Sequence, residues 1–163
     1  GCDPKADSTR LLLGGLALAP HKVVRATRDV DLLVDEAHAG ALDRELQGLG
    51  YRCVHRSDDA GNYLRGDERV DLLYAHRPIA RHLLESAKSL DTPFGEIRVV
   101  SLEGLIAFKL QGVVNDPRRT QDLEDIRALL KANLDVVDLK QLRDYFRLFE
   151  REALLDEIVS DLS

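Results

Sequence analysis

The first hundred positions contain short apolar runs and runs in which apolar and polar residues alternate, and both patterns predict β-strands. Between Asp29 and Val34, for example, the first and third positions are aspartates and the positions between them are apolar. Gly and Pro pairs, together with a few runs of helical period, separate these segments. The predicted strands are 11–13, 29–34, 51–56, 62–65, 68–74 and 96–100, with helices at 16–22, 37–49 and 78–86.

Beyond residue 100 the apolar residues recur three and four positions apart, which predicts helices alone. Ser101, Asp116 and Asp138 are predicted to begin three of these helices, and a last helix is predicted over 152–162. Mixed strands and helices followed by helices only is typical of the α+β class. We therefore expect a single domain over 1–163, with a mixed-sheet core in 1–100 and a helical extension in 101–163.

Length and composition narrow the functional classes. The chain has 163 residues, of which 44% are hydrophobic, enough for one domain with its own core. A net charge of -6 argues against binding polyanions through a broad basic surface. The two cysteines, Cys2 and Cys53, do not form a disulfide framework. The sequence has no apolar run long enough to span a membrane, so we expect a cytoplasmic protein without membrane contact.

Three aspartates on predicted strands are the strongest chemical signal. Asp29 and Asp31 are two residues apart, so their carboxylates converge on one face and repel each other unless a cation binds between them. Asp71 has apolar neighbours in another predicted strand, and pairing of adjacent strands would bring it to the same site. Carboxylate oxygens suit Mg²⁺ or Mn²⁺, and two such ions can promote phosphoryl transfer. The alternative is that the Asp-x-Asp pair lies on an ordinary solvated strand face.

Two basic residues are candidates for the same chemistry. Arg25 precedes the aspartate pair, and its guanidinium could contact a triphosphate, although it could equally be a surface arginine. Lys109 lies within the apolar stripe of the helix that begins near Ser101, and a buried lysine needs a partner. Asp122, on the core-facing side of the next helix, is the predicted partner. A structural ion pair, a snorkelling lysine and a cleft residue facing the metal site remain alternatives for Lys109.

The chain has a glycine pair, Gly14-Gly15, followed by Arg25-Ala26-Thr27, Asp29-Val30-Asp31 and Asp71. Together these motifs resemble the DNA polymerase β-type nucleotidyltransferase superfamily, over about residues 11–131. The variant is similar to small bacterial proteins related to AbiEii-type toxins. The resemblance implies a nucleotidyltransferase fold, a mixed β-sheet flanked by helices with a helical C-terminal half. It also implies a nucleotide site at Gly14, Gly15, Arg25, Thr27 and Lys109, and metal ligands at Asp29, Asp31 and Asp71. Gly15 stands where many members have serine, and Pro20 interrupts the helix that should follow.

A second region, 105–109 followed by 121–126, resembles the other signature of these toxin-like proteins. That resemblance implies a functional role for Lys109 and, less directly, for Asp122 or Asp125, of which Asp122 is preferred. The predicted function is therefore magnesium- or manganese-dependent transfer of a nucleoside monophosphate from an NTP such as ATP to an acceptor hydroxyl. The acceptor would be tRNA, a protein or a small molecule, and a toxin–antitoxin role with an antitoxin or homo-oligomer partner is implied. The alternative is a degenerate nucleotide-binding or regulatory module that acts through a protein partner.

Overall fold

A computed structural model of the protein describes residues 10–24, 26–27, 29–93 and 95–162. Its first hundred residues contain both strands and helices, and the later elements are all helices, so the predicted α+β class is confirmed. The strands are β1 (Arg10–Leu13), β2 (Asp29–Val34), β3 (Arg52–Arg56), β4 (Ala60–Arg65), β5 (Glu68–Tyr74), β6 (Lys88–Thr92) and β7 (Gly95–Val99). The helices are α1 (Glu36–Gly48), α2 (Pro78–Glu85), α3 (Leu102–Asn115), α4 (Thr120–Asn133), α5 (Leu139–Leu148) and α6 (Glu152–Leu162), with a 3₁₀ helix at Leu16–His21.

All seven strands join one mixed sheet in the order β3-β4-β5-β2-β1-β7-β6. β2 is parallel to β5 and β1 is parallel to β7, whereas the other neighbours are antiparallel. The parallel β2–β5 pair requires a crossover, which α1, β3 and β4 supply. β2 and β5 therefore lie inside the sheet, and β3 and β6 form its two edges.

One face of the sheet packs against α1. The Asp35 side chain caps this helix by accepting a hydrogen bond from the Ala37 amide at 2.9 Å. The apolar face of α1 then contacts alternate residues of the strands, because side chains two apart share a face. This core consists of Val34, Ala39, Leu42, Leu46, Tyr63, Val70, Leu72 and Tyr74. The intervening strand positions, including the three aspartates, are left on the opposite face.

The chain divides into two compact units. The sheet unit comprises the described residues up to Ala17 and those from 26 to Ser101. The helical unit comprises Leu18–Val24 and the chain from Leu102 onward. The boundary between Ser101 and Leu102 lies one residue from the predicted end of the mixed-sheet core at residue 100. The segment Leu18–Val24, however, belongs to the helical unit. The single-domain organisation stays a prediction.

Two buried features define the helical unit. Its core contains fully buried side chains of three helices, including Leu105, Ile126 and Phe146. The buried Asn133 amide donates to the His21 carbonyl at 2.8 Å and to the Leu129 carbonyl at 3.0 Å, which ties the segment 18–24 to α4. An unsatisfied amide in this position would be costly, so the hydrogen bonds define how the segment lies.

Local signals for the helix starts were only partly correct. Asp138 caps α5 as predicted, since its side chain accepts from the Gln141 amide at 2.9 Å. The prediction that Asp116 begins the next helix is wrong, because α4 starts at Thr120. The Asp116 carboxylate instead accepts from the Arg118 amide at 3.1 Å and closes a turn.

The sequence prediction also missed the edge strand β6. Its residues, Lys-Ser-Leu-Asp-Thr, are mostly exposed and show no apolar alternation. The strand forms because its backbone pairs with β7, a contact that is not visible in the local pattern.

Candidate active site

Asp29, Asp31 and Asp71 lie on the sheet face opposite α1. In the parallel β2–β5 pair, Asp31 is the register partner of Asp71, and Asp29 is the partner of Arg69. Partners on adjacent strands point to the same side, about 4.8 Å apart along the hydrogen-bonding direction. The even-numbered residues of both strands pack toward α1. The three carboxylates therefore share one half-buried face in the middle of the sheet.

Two side chains that the sequence analysis did not single out hold Asp71. Arg69 Nε donates to both Asp71 carboxylate oxygens, at 3.1 and 3.0 Å. Asn62 Nδ2, on the neighbouring strand β4, donates to Asp71 Oδ1 at 2.6 Å. The signal for Arg69 was its position two residues before Asp71 in a strand, which places both on the same face.

The three carboxylates stabilise the positive charge of Arg69. Hydrogen bonding to Asp71, followed by the charges of Asp71, Asp29 and Asp31, raises the pKa of the Arg69 guanidinium. Among the residues that the structure describes, no three His, Cys, Asp or Glu side chains are arranged to hold a metal ion. The donor oxygens have the right chemistry and lie on one face, but Asp71 is directed to Arg69 instead.

The glycine turn lies directly against this face. Gly14 has a φ of +61°, a left-handed conformation that favours glycine. A Cβ built at Gly14 would overlap the Asp31 carboxylate, 2.6 Å from its Cγ. Gly15, also predicted to line the nucleotide, is buried beside it. The absence of a side chain at Gly14 thus makes room for Asp31.

Arg25 and Thr27, which precede β2, were also predicted to contact the nucleotide. Arg25 lies outside the described residues. Thr27 is half-buried, and its hydroxyl lies 3.5 Å from the Asp29 carbonyl, just before β2 begins. Its contact with a nucleotide stays a prediction.

Lys109 is buried in the helical unit and forms two ion pairs. Its Nζ is 3.0 Å from Asp122 Oδ1 and 2.7 Å from Asp125 Oδ2. Asp122 also pairs with Arg119 at 2.7 Å, and Gln121 donates to Asp125 at 3.1 Å. The predicted Lys109–Asp122 pair is therefore present. Asp125, which the sequence ranked below Asp122, is a second partner, because both carboxylates, one helical turn apart, reach the same ammonium group.

With this geometry established, solved structures provide the decisive comparison. The antibiotic-resistance factor ANT(2'')-Ia, studied in solution, matches with a TM-score of 0.67 at 20% identity, over 91% of this chain and 86% of that one. The lincosamide antibiotic adenylyltransferase LnuA, with lincomycin bound, gives 0.54 at 17% identity over 74% and 85%. A nucleotidyltransferase-like protein from Paracoccidioides brasiliensis gives 0.53 at 16% identity over 93% and 84%. The chain has the nucleotidyltransferase fold.

Sequence comparison adds little to this fold assignment. No protein family profile matches the chain. A local match of 44% identity over 57 residues, to nitrogenase iron protein 3 of Clostridium pasteurianum, covers 33% of this chain. The matched part spans only 18% of that relative. The AbiEii-like subtype, with its toxin–antitoxin role, stays a prediction.

Two further predictions concern the surroundings of this nucleotidyltransferase fold. None of the described helices is long and apolar enough to cross a membrane. Cys53 is a free, exposed thiol on the edge strand β3, whereas Cys2 lies outside the described residues. In α5, Tyr145 and Phe146 are buried, while Leu148 is exposed.

Proposed function

We propose that the protein is a metal-dependent nucleotidyltransferase that moves a nucleoside monophosphate from an NTP to an acceptor hydroxyl. The observation that supports this most is the register of β2 and β5, which brings Asp71 beside Asp31, the carboxylate that packs against Gly14. Carboxylates from adjacent strands beside a glycine turn combine a cation site with backbone amides suited to phosphate.

Each residue has a defined part in the proposed reaction. The acceptor oxygen bonds to the α-phosphorus, the bond to pyrophosphate breaks, and Asp71 takes the hydroxyl proton. Asp29, Asp31 and Asp71 would hold Mg²⁺ or Mn²⁺, which would offset phosphate charge and lower the pKa of the acceptor hydroxyl. Gly14 and Gly15 would contact the triphosphate through their backbone, without a side chain that would displace Asp31.

Binding of the cation requires Asp71 to exchange its partner. Asp71 accepts hydrogen bonds from Arg69 and Asn62, so holding a cation would require this carboxylate to give up its hydrogen bonds from Arg69. Arg69 would then be available for a phosphate oxygen, which its planar fork suits.

Lys109 and Asp122 were also predicted to be catalytic, and these roles stay predictions. Two ion pairs already explain why Lys109 tolerates burial. The triphosphate contact proposed for Lys109 must therefore be tested separately from the role of this lysine in stability.

The solved structures support a proposal for the class of acceptor. ANT(2'')-Ia has been crystallised with adenylyl-2''-tobramycin, and LnuA with lincomycin. Among the predicted acceptors, tRNA, a protein or a small molecule, these neighbours favour a small molecule.

The proposal is tested by label transfer. Purified protein with Mg²⁺ and each α-³²P-labelled NTP is incubated with cell extract, and labelled product and pyrophosphate are measured. We expect transfer by the wild type, loss of at least 100-fold with Asp31→Asn, and full activity with Asp67→Asn, a matched exposed acid in the β4–β5 turn. Absence of both NTP binding by calorimetry and labelled product in the wild type would refute the proposal.

A second candidate is a nucleotide-binding module without transfer activity. The observation that favours it is the pairing of Asp71 with Arg69 in place of a metal-ready arrangement. In that case Asp71→Asn would bind NTP as the wild type does, and neither protein would release pyrophosphate.

A further inference from the structure

The face that carries the aspartates continues across β4 to the edge strand β3. Strand pairing arranges its residues in two rows, and paired residues point to the same side of the sheet. The first row is Asp31, Asp71, Asn62 and His55, and the second is Asp29, Arg69, Leu64 and Arg52. We call the β3 and β4 members of these rows, Arg52, His55, Asn62 and Leu64, the edge platform.

The two flanks of the aspartates differ in accessibility. On the β1 side, Leu13 is the partner of Asp31 and is fully buried, as is nearly all of Leu11. On the other side, Asn62 and Leu64 are half-buried, and Arg52 and His55 are exposed. Within the sheet unit, the acidic face is therefore open toward the edge platform.

The geometry of the proposed reaction indicates that the acceptor binds on this open flank, and this inference rests on the proposed function. In phosphoryl transfer the attacking and leaving oxygens lie roughly in line, on opposite sides of the phosphorus. The proposed triphosphate contact, Gly14, lies at the end of β1, and Asp71 lies between it and the edge platform. The acceptor hydroxyl would therefore reach Asp71 from the side of β4 and β3.

The charge of the edge platform indicates what kind of acceptor this is. The neighbouring arginines of the same strands are neutralised: Arg56 pairs with Asp43 and Arg65 pairs with Glu68, both on the face toward α1. Arg52 and His55 have no acidic partner among the residues that the structure describes. An unpaired guanidinium on an exposed strand suits a phosphate, and it repels a polyamine.

We propose that the edge platform binds an acceptor that carries a phosphate, with the phosphate at Arg52 and His55 and the reacting hydroxyl at Asp71. Two strand spacings separate β5 from β3, about 10 Å in all. A nucleotide or a sugar phosphate, together with the arginine side chain, covers this span. The acceptor class thus differs from a polyamine antibiotic and includes RNA ends and small phosphate esters.

Binding is tested without any reaction by titrating the ¹⁵N-labelled full chain and following amide shifts. The probes are ribose 5-phosphate, a 5′-phosphorylated RNA dinucleotide and spermidine, at equal ionic strength. We expect the two phosphates to shift amides of β3 and β4 saturably, with at least fivefold weaker binding for Arg52→Gln. Lys88→Gln is the matched control, because Lys88 is an exposed cation on the opposite edge strand.

The two phosphate probes distinguish the sources of this chemistry. Tighter binding of the dinucleotide indicates a nucleic-acid acceptor, and tighter binding of ribose 5-phosphate indicates a small phosphate ester. Shifts confined to the glycine turn, equal affinities for wild type and Arg52→Gln, or saturable spermidine shifts on β3 and β4 would each overturn the inference.

Kinetics separate this inference from the proposed function. With a phosphate-bearing acceptor, Arg52→Gln should raise the acceptor KM about tenfold and leave the KM for NTP unchanged. A raised KM for NTP alone would show that the platform binds nucleotide, which would overturn the inference while transferase activity remained. Failure of the wild type to bind or turn over any NTP would refute the proposed function instead.

Discussion

Gly14 and Asp31 are packed so closely that any side chain at position 14 would overlap the Asp31 carboxylate. The contact joins the turn after β1 to the central strand β2. It links the two features that the sequence predicted separately, a glycine turn and an acidic pair.

Replacement of Gly14 by alanine tests this contact. Gly66 has nearly the same φ, +59° against +61°, but open space around it, so Gly66→Ala is a matched control for backbone strain. Strain alone costs roughly 1–2 kcal/mol at either position. We expect Gly14→Ala to lose more stability in urea unfolding, and also Mn²⁺ affinity, because Asp31 must move. Equal losses in both variants, with Mn²⁺ binding intact, would contradict this account.

Arg69 should compete with a divalent cation for Asp71. Replacing Arg69 by alanine frees the carboxylate and removes a positive charge from the face, so Mn²⁺ affinity measured by calorimetry should rise a few-fold, as screened Coulomb interactions at a surface allow. Arg65→Ala is the control, since that side chain is similarly exposed but lies on the opposite face. Weaker Mn²⁺ binding by Arg69→Ala would show that the arginine organises the site.

Lys109 should be required for folding, whatever else it does. Lys109→Met leaves the buried Asp125 without its cation and Asp122 with Arg119 alone, and breaking buried pairs in this way costs about 3–5 kcal/mol. Lys131→Met, at an exposed position of α4, should change the free energy of unfolding little. Urea denaturation measures both. A stable Lys109→Met protein that fails to bind NTP would favour the catalytic role predicted for Lys109.

Acid should destabilise the sheet unit through Asp43. Burial acts to raise the pKa of this carboxyl, but hydrogen bonds from Tyr63, Gln47 and Arg56 outweigh it and hold the pKa below its ordinary 3.8. A group with a lowered folded-state pKa stabilises the fold above its unfolded pKa, and this contribution is lost as the pH falls through the folded pKa. Asp43→Asn should therefore flatten the pH dependence of stability below about pH 4. An unchanged acid profile would mean that the network contributes nothing.

The sequence predicted most elements well where each one carries its own signal. The bounds of β2 and α6 were correct, because alternating apolar residues in one and helical spacing in the other are local properties. β6 was missed because its stability comes from pairing with β7. The start of α4 was wrong because Asp116 closes a turn, and an aspartate before proline looks the same in both cases.

The sequence predicted those parts of the candidate site that depend on neighbouring residues of one segment. Alternation places Asp29 and Asp31 together, but the pairing of Asp31 with Asp71 depends on the register of a parallel crossover. The roles of Arg69 and Asn62 depend on the same register and on β4, so no single segment of sequence contains them. Likewise, the ion pair of Lys109 with Asp125 depends on how α3 packs against α4, which the local sequence does not show.

The hydrogen bond from Asn133 to the His21 carbonyl joins residues 112 positions apart. During synthesis, the segment 18–24 leaves the ribosome long before α4 has been made and can bind it. A contact between residues so far apart in sequence forms late, because closing a long loop costs conformational entropy before the contact can form. The segment 18–24 therefore reaches its final position only after Asn133, at the end of α4, has been translated.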